Sequence, residues 1–170
     1  MNGEKKIIYF DACIFIAWLK NEKRPDPADM QAVQEIVERV QKREVTIITS
    51  TITQTEIAAC KVGKGALTTF DDLLKRKNLQ CISVDIKIAK IARELRDYYQ
   101  SEAYTLGADG KRIDAKTFTT ADAIHIATAL INKVEAFYTF DEYLISLSGN
   151  VGGYSLKIQK PPIGQLRLFS

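Results

Sequence analysis

Four acidic residues are placed where carboxylates do chemistry together: Asp11, Glu56, Asp122 and Asp141. Asp11 follows Ile7-Ile8-Tyr9-Phe10 and precedes Ala12-Cys13-Ile14-Phe15-Ile16. Glu56 runs into Ile57-Ala58-Ala59-Cys60, and Asp122 lies between Ala121 and Ala123-Ile124. A charge in such surroundings needs a partner, because burial strips its hydration. No lysine or arginine stands within a few residues of Glu56 or Asp122. Taken singly, each acid has an ordinary explanation. Asp11 and Asp141 read as helix N-caps, and Thr53-Gln54-Thr55-Glu56 and Thr119-Thr120-Ala121-Asp122 read as capping boxes. Taken together, the four suit the binding of a divalent cation, which would compensate all of their charges at once.

The elements that must position these acids follow from hydrophobic patterning. Ile7 to Phe10 is a short apolar run suited to a buried strand, and Ala12 to Lys20 reads as a helix capped by Asp11. Asn21 to Asp29, with two prolines, reads as an exposed connector. Met30 to Arg43 shows helical spacing at Val33, Ile36, Val37 and Val40. Val45 to Thr49 is a second strand, followed by a helix capped within Ser50 to Thr53 and ending near Val62. Helices are expected over 65–77, 86–99, 120–132 and 142–147. Strands are expected over 81–84, 136–140 and 154–158. Ser101 to Thr117, with Gly107, Gly110 and Asp109-Gly-Lys-Arg, reads as a long surface loop.

Alternating strands and helices predict an α/β fold, three-layer α/β/α, with a central, mainly parallel sheet. One domain is expected, with residues 1–148 forming its body and 149–170 a C-terminal strand and tail packed on it. Ligands of such sheets bind beyond the carboxyl ends of the strands. Asp11 and Asp141 each follow a strand and fall on that rim directly. Glu56 and Asp122 reach it only in a particular topology.

The chain has 170 residues, of which 46% are apolar, enough for one buried core. Its cysteines, Cys13, Cys60 and Cys81, are odd in number, widely spaced and set in apolar runs. They read as reduced core thiols, and with a single histidine they exclude a zinc site. The basic start and apolar run of the first 20 residues invite a signal-peptide reading. Asp11 interrupts the run, and no small-residue cleavage site follows. No stretch reaches the ~18 uninterrupted apolar residues that span a bilayer. A cytoplasmic protein without membrane association is expected. A net charge of +3 permits a polyanionic partner without requiring one.

The four acidic segments, in order, resemble those of PIN-domain ribonucleases, and most closely the VapC-type toxins of toxin–antitoxin pairs. The resemblance spans roughly Ile7 to Leu147. Its most specific piece is Thr119-Thr-Ala-Asp-Ala-Ile-His-Ile-Ala-Thr-Ala-Leu130. Ile8-Tyr-Phe-Asp-Ala-Cys13, Ser50 to Glu56 and Phe137-Tyr-Thr-Phe-Asp141 match the other three segments.

The resemblance implies a PIN-like fold and an endoribonuclease whose metal ligands and catalytic acids are Asp11, Glu56, Asp122 and Asp141. The cofactor it implies is Mg²⁺ or Mn²⁺, which hard oxygen ligands suit. On this reading Glu56 acts more through water or proton handling than by direct coordination. It also implies an RNA substrate, a cognate antitoxin and a homodimer. Cys13 departs from the pattern, since a small polar residue is common at that place.

Lys111, Arg112 and Thr139 are the candidate substrate contacts: the first two as phosphate-binding cations, the third through a metal-bound water. His125 shares a helix face with Asp122. A packing or hydrogen-bonding role outweighs ligation for it, since oxygen-built Mg²⁺ sites seldom recruit imidazole. Two other functions compete. An aspartyl-nucleophile phosphatase would want Asp-x-Asp, and Cys13 occupies the second position. A non-catalytic module binding nucleic acid or protein would not need all four acids.

Overall fold

A computed structural model describes residues 6–100, 105–106, 112–113 and 118–164. Strand β1 (Ile7–Phe10) leads into helix α1 (Ala12–Lys20), then α2 (Pro27–Gln41), β2 (Thr46–Ser50), α3 (Ile52–Ala59), α4 (Lys64–Leu74) and β3 (Leu79–Ile82). Helix α5 (Ile86–Gln100) is followed by the short strands β4 (Thr105–Leu106) and β5 (Arg112–Ile113). The chain continues through α6 (Thr120–Ile131), β6 (Ala136–Tyr138), α7 (Glu142–Ser146) and β7 (Ile158–Gln159).

Five strands form one sheet in the order β3-β2-β1-β6-β7, every neighbouring pair parallel. Central β1 is an unbroken apolar run because both of its faces are covered. Its side chains alternate between two cores. Ile8 and Phe10 face Ile14, Phe15, Val33, Ile36 and Phe70, in the layer of α1, α2 and α4. Tyr9 faces Leu95, Ile126, Ala127 and Leu144, in the layer of α5, α6 and α7. The three-layer parallel architecture expected from the sequence is the one observed.

Several boundaries move for identifiable reasons. Helix α2 starts three residues before the predicted Met30, because Asp26 accepts the Ala28 N–H at 2.9 Å and Pro27 fits the first helical position. Strand β3 runs over 79–82 rather than 81–84, since its ladder pairs Ile47 with Leu79 and Ser50 with Ile82. Val84 lies past the ladder and is 40% exposed. The last strand is Ile158–Gln159, not 154–158. Tyr154 instead bridges back to Val151 around Gly152 and Gly153, whose φ values of 58° and 89° suit glycine. The expected loop at 101–117 contains the antiparallel pair β4–β5. The rest of that segment lies outside the described residues.

Candidate active site

Asp11 sits at the carboxyl end of the central strand. Its N–H still pairs with the Tyr138 carbonyl on β6, at 3.1 Å. Its Oδ1 accepts the Ala12 N–H at 2.7 Å, the cap that starts α1. Its Oδ2 accepts the Thr139 hydroxyl at 2.7 Å and the Cys13 thiol at 3.2 Å. Asp11 is only 6% exposed, so these donors replace water around a charge that burial would otherwise penalise.

Cys13 takes the supporting position that its residue type put in question. Its sulfur lies 3.2 Å from the Thr139 hydroxyl and accepts the Phe140 N–H at 3.2 Å. Burial, and then the charge of Asp11, push the thiol pKa well above its ordinary value. It therefore stays protonated and can donate. All three cysteines are free and half-buried; Cys13 is a polar contact of the site, where the sequence reading had only a core thiol.

Asp141 caps α7, and its Oδ1 accepts from the N–H groups of Tyr143 at 2.7 Å and Leu144 at 3.4 Å. The Asp141 N–H reaches the Thr139 hydroxyl at 3.0 Å. One buried hydroxyl thus joins the first acid to the last. Thr139 is fully buried, and its hydroxyl is engaged within the site.

Asp122 forms the predicted capping box. Its Oδ2 accepts from both the backbone N–H and the hydroxyl of Thr119, each at 2.7 Å, and Thr119 accepts the Asp122 N–H at 3.1 Å. Burial raises the Asp122 pKa; the Thr119 bonds oppose the rise, while the charges of Asp11 and Asp141 add to it. These three carboxylates therefore share one electrostatic neighbourhood.

Glu56 joins through histidine. The capping box predicted at Thr53 does not form: α3 starts at Thr51 without a side-chain cap, and Thr53 turns inward to Thr49 at 2.7 Å. Glu56 therefore lies mid-helix, where its Oε2 stands 2.6 Å from His125 Nε2. The same nitrogen is 3.6 Å from Asp11 Oδ1. On the other side of the ring, Nδ1 lies 2.7 Å from the Tyr9 hydroxyl. Burial disfavours a charged imidazole, but the Glu56 hydrogen bond and the charges of Asp11, Glu56 and Asp122 outweigh it and raise the His125 pKa. Among the described residues, His125 is the only ion-pair partner of Asp11 and Glu56.

All four predicted acids thus belong to one rim. As they stand, no three His, Cys, Asp or Glu side chains among the described residues are arranged to hold an ion. Lys111 and the Arg112 side chain lie outside the described residues. Other cations touch the two residues that flank Asp141. Arg24 packs over the Phe140 ring at 3.8 Å and pairs with Asp29 at 3.4 Å. Lys160, after β7, pairs with Asp29 at 3.5 Å and with Glu142 at 3.3 Å. Arg24 lies close to Lys20 and Lys23 in a stretch that nothing local ties to the acids, and Lys160 carries no local signal at all.

The family model for the PIN domain matches residues 8–150. Sequence comparison with curated proteins finds no match. Among solved structures, the chain is similar to one in the VapBC2 complex of Rickettsia felis bound to a promoter DNA fragment. That pair has a TM-score of 0.58 at 15% identity, covering 89% of this chain and 98% of the other. A toxin–antitoxin complex from Klebsiella pneumoniae gives a TM-score of 0.54 at 19% identity, covering 91% and 98%. FitAcB from Neisseria gonorrhoeae gives 0.52 at 15% identity, covering 91% and 97%. These likenesses are of fold. The family model reaches from β1 through α7 and takes in all four acids, and the chain belongs to the PIN-domain family.

Proposed function

We propose that this chain is a Mg²⁺- or Mn²⁺-dependent endoribonuclease that acts as the toxin of a toxin–antitoxin pair. The observation that carries the reading is the carboxylate rim at the ends of β1 and β6. Asp11 and Asp141 are tied through one hydroxyl, Asp122 lies within their field, and Glu56 is drawn in by His125. Oxygen donors of this kind suit a hard divalent cation. The strain in the charge pattern suits one too, since burial and neighbouring charges already disfavour the ionised form of Asp122.

Asp11, Asp122 and Asp141 would hold the ion, partly through water, because Mg²⁺ keeps several waters. When bound, the ion would orient the scissile phosphate and make a coordinated water acidic. Thr139 fixes the spacing of Asp11 and Asp141. Glu56 keeps one oxygen on His125 and offers the other to the proton of the attacking water. Residues 1–148 form the nuclease in this reading, and 149–170 are its edge strand and tail. Lys111 and Arg112 contact the RNA backbone, the chain works in the cytoplasm, and it pairs with a second copy. The toxin role is supported by a solved neighbour that is itself a toxin–antitoxin complex.

Purified Asp11→Asn and Asp122→Asn chains should lose Mg²⁺-dependent RNA cleavage while keeping wild-type circular dichroism. Full activity in both would sink the metal-site reading. Expression of the wild-type chain should arrest growth, and the product of an adjacent small gene should relieve the arrest.

A further inference from the structure

The mechanism above uses only the outer end of a buried polar chain that runs from the central strand to the rim. Tyr9 and His125 are 0% and 1% exposed. The Tyr9 ring stacks on Phe137 at 4.8 Å and 7°, and meets the imidazole edge-on at 5.8 Å. Packing therefore fixes both rings, and their polar atoms can point in one direction only. Tyr9 occupies Nδ1 at 2.7 Å, which leaves Nε2 aimed at Glu56 at 2.6 Å.

Glu56 needs such a partner. Its side chain is 32% exposed and sits on a helix without a side-chain cap. Among the described residues, His125 is the only side chain that hydrogen-bonds it. A half-exposed glutamate otherwise samples several rotamers, and ordering it has an entropic cost. A histidine with a purely structural role would satisfy both nitrogens inside the core. This one reserves its outer nitrogen for an acid of the site.

We propose that Tyr9 and His125 form a positioning pair that fixes the Glu56 carboxylate for its part in phosphodiester cleavage. The proposal rests on the nuclease reading. It resembles the outer-shell partners that orient site carboxylates elsewhere, whose loss costs about tenfold to a hundredfold in activity.

The chain has one histidine, so its imidazole nitrogen resonances assign themselves. Glu56→Gln should shift the Nε2 resonance and Tyr9→Phe the Nδ1 resonance; an unchanged spectrum in both overturns the pair. In cleavage of single-stranded RNA with Mg²⁺, His125→Leu should be about tenfold to a hundredfold slower than wild type. Added to Glu56→Gln, it should cost nothing more. Losses that multiply in an active protein overturn the proposal alone. His125→Gln, which keeps an N–H near Nε2, should recover part of the rate and covers a His125→Leu chain that fails to fold. A stably folded His125→Gln chain with no recovery also overturns it. A wild-type chain that shows both shifts but cleaves no RNA overturns the nuclease reading, and the purpose of the pair with it.

Discussion

The two halves of the acidic rim are held in different ways. Asp122 and Asp141 are fixed by their own helices, through bonds that reach two or three residues along the chain. Asp11, beyond the cap it gives α1, and Glu56 are fixed across the fold. The bond from Thr139 to Asp11 spans 128 residues, that from His125 to Glu56 spans 69, and that from Tyr9 to His125 spans 116. A capped acid arrives in place whenever its helix forms. A networked acid is in place only when the sheet order and both cores are correct. The capped half is therefore tolerant of change, and the networked half couples activity to the integrity of the fold.

The largest test of that contrast is Asp11→Asn. It removes a carboxylate that four groups surround, so cleavage should fall by about a thousandfold or more, given tenfold per 1.36 kcal/mol and several kcal/mol of charge stabilisation. Thermal stability should fall as well, because Thr139 and Cys13 lose a charged acceptor. Asp141→Asn should match the loss of cleavage with little change in melting temperature, since an amide oxygen can still cap α7. Equal destabilisation by the two substitutions would break the contrast.

Thr139→Val comes next. It keeps the shape but removes the hydroxyl between Asp11 and Asp141, leaving buried groups unpaired at a cost of about 1–3 kcal/mol. Denaturant unfolding should show that loss, and more Mg²⁺ should be needed for half-maximal cleavage.

Asp122→Asn should move stability the other way. The folded pKa of Asp122 is raised by burial, so above the ordinary carboxylate range the native state holds a proton that the unfolded chain has released. Stability therefore falls as pH rises through that window. The amide variant escapes the penalty. Without metal it should melt a few degrees higher than wild type at neutral pH, and the gain should vanish once pH drops below the ordinary aspartate value. The smallest effect belongs to Cys13→Ser. A hydroxyl can make the same contacts with Asp11, Thr139 and Phe140, so activity and stability should stay close to wild type.

The same division explains what could be read from the residues alone. Strand β1, helix α1 and its Asp11 cap, and the Thr119–Asp122 capping box follow from local pattern and were legible. So was the parallel sheet, from the alternation of apolar strands with amphipathic helices. The capping box expected at Thr53 failed because Thr49, a strand residue, competes for that hydroxyl. Position β3 was misjudged because its edge is set by pairing with β2, not by its own composition. Arg24, Lys160 and the Tyr9–His125 contact depend on which strands become neighbours, and no stretch of sequence announces that.

The order of the strands also has a consequence for synthesis. The central strand β1 is made first, yet one of its two neighbours, β6, comes from the far end of the chain. Asp11 waits for Thr139, 128 residues downstream, before its second oxygen is engaged. A nascent chain still missing that segment has an open edge on its middle strand and half a catalytic rim. On the nuclease reading, an enzyme that threatens the RNA around it cannot be armed before the segment carrying Thr139 has been made and folded.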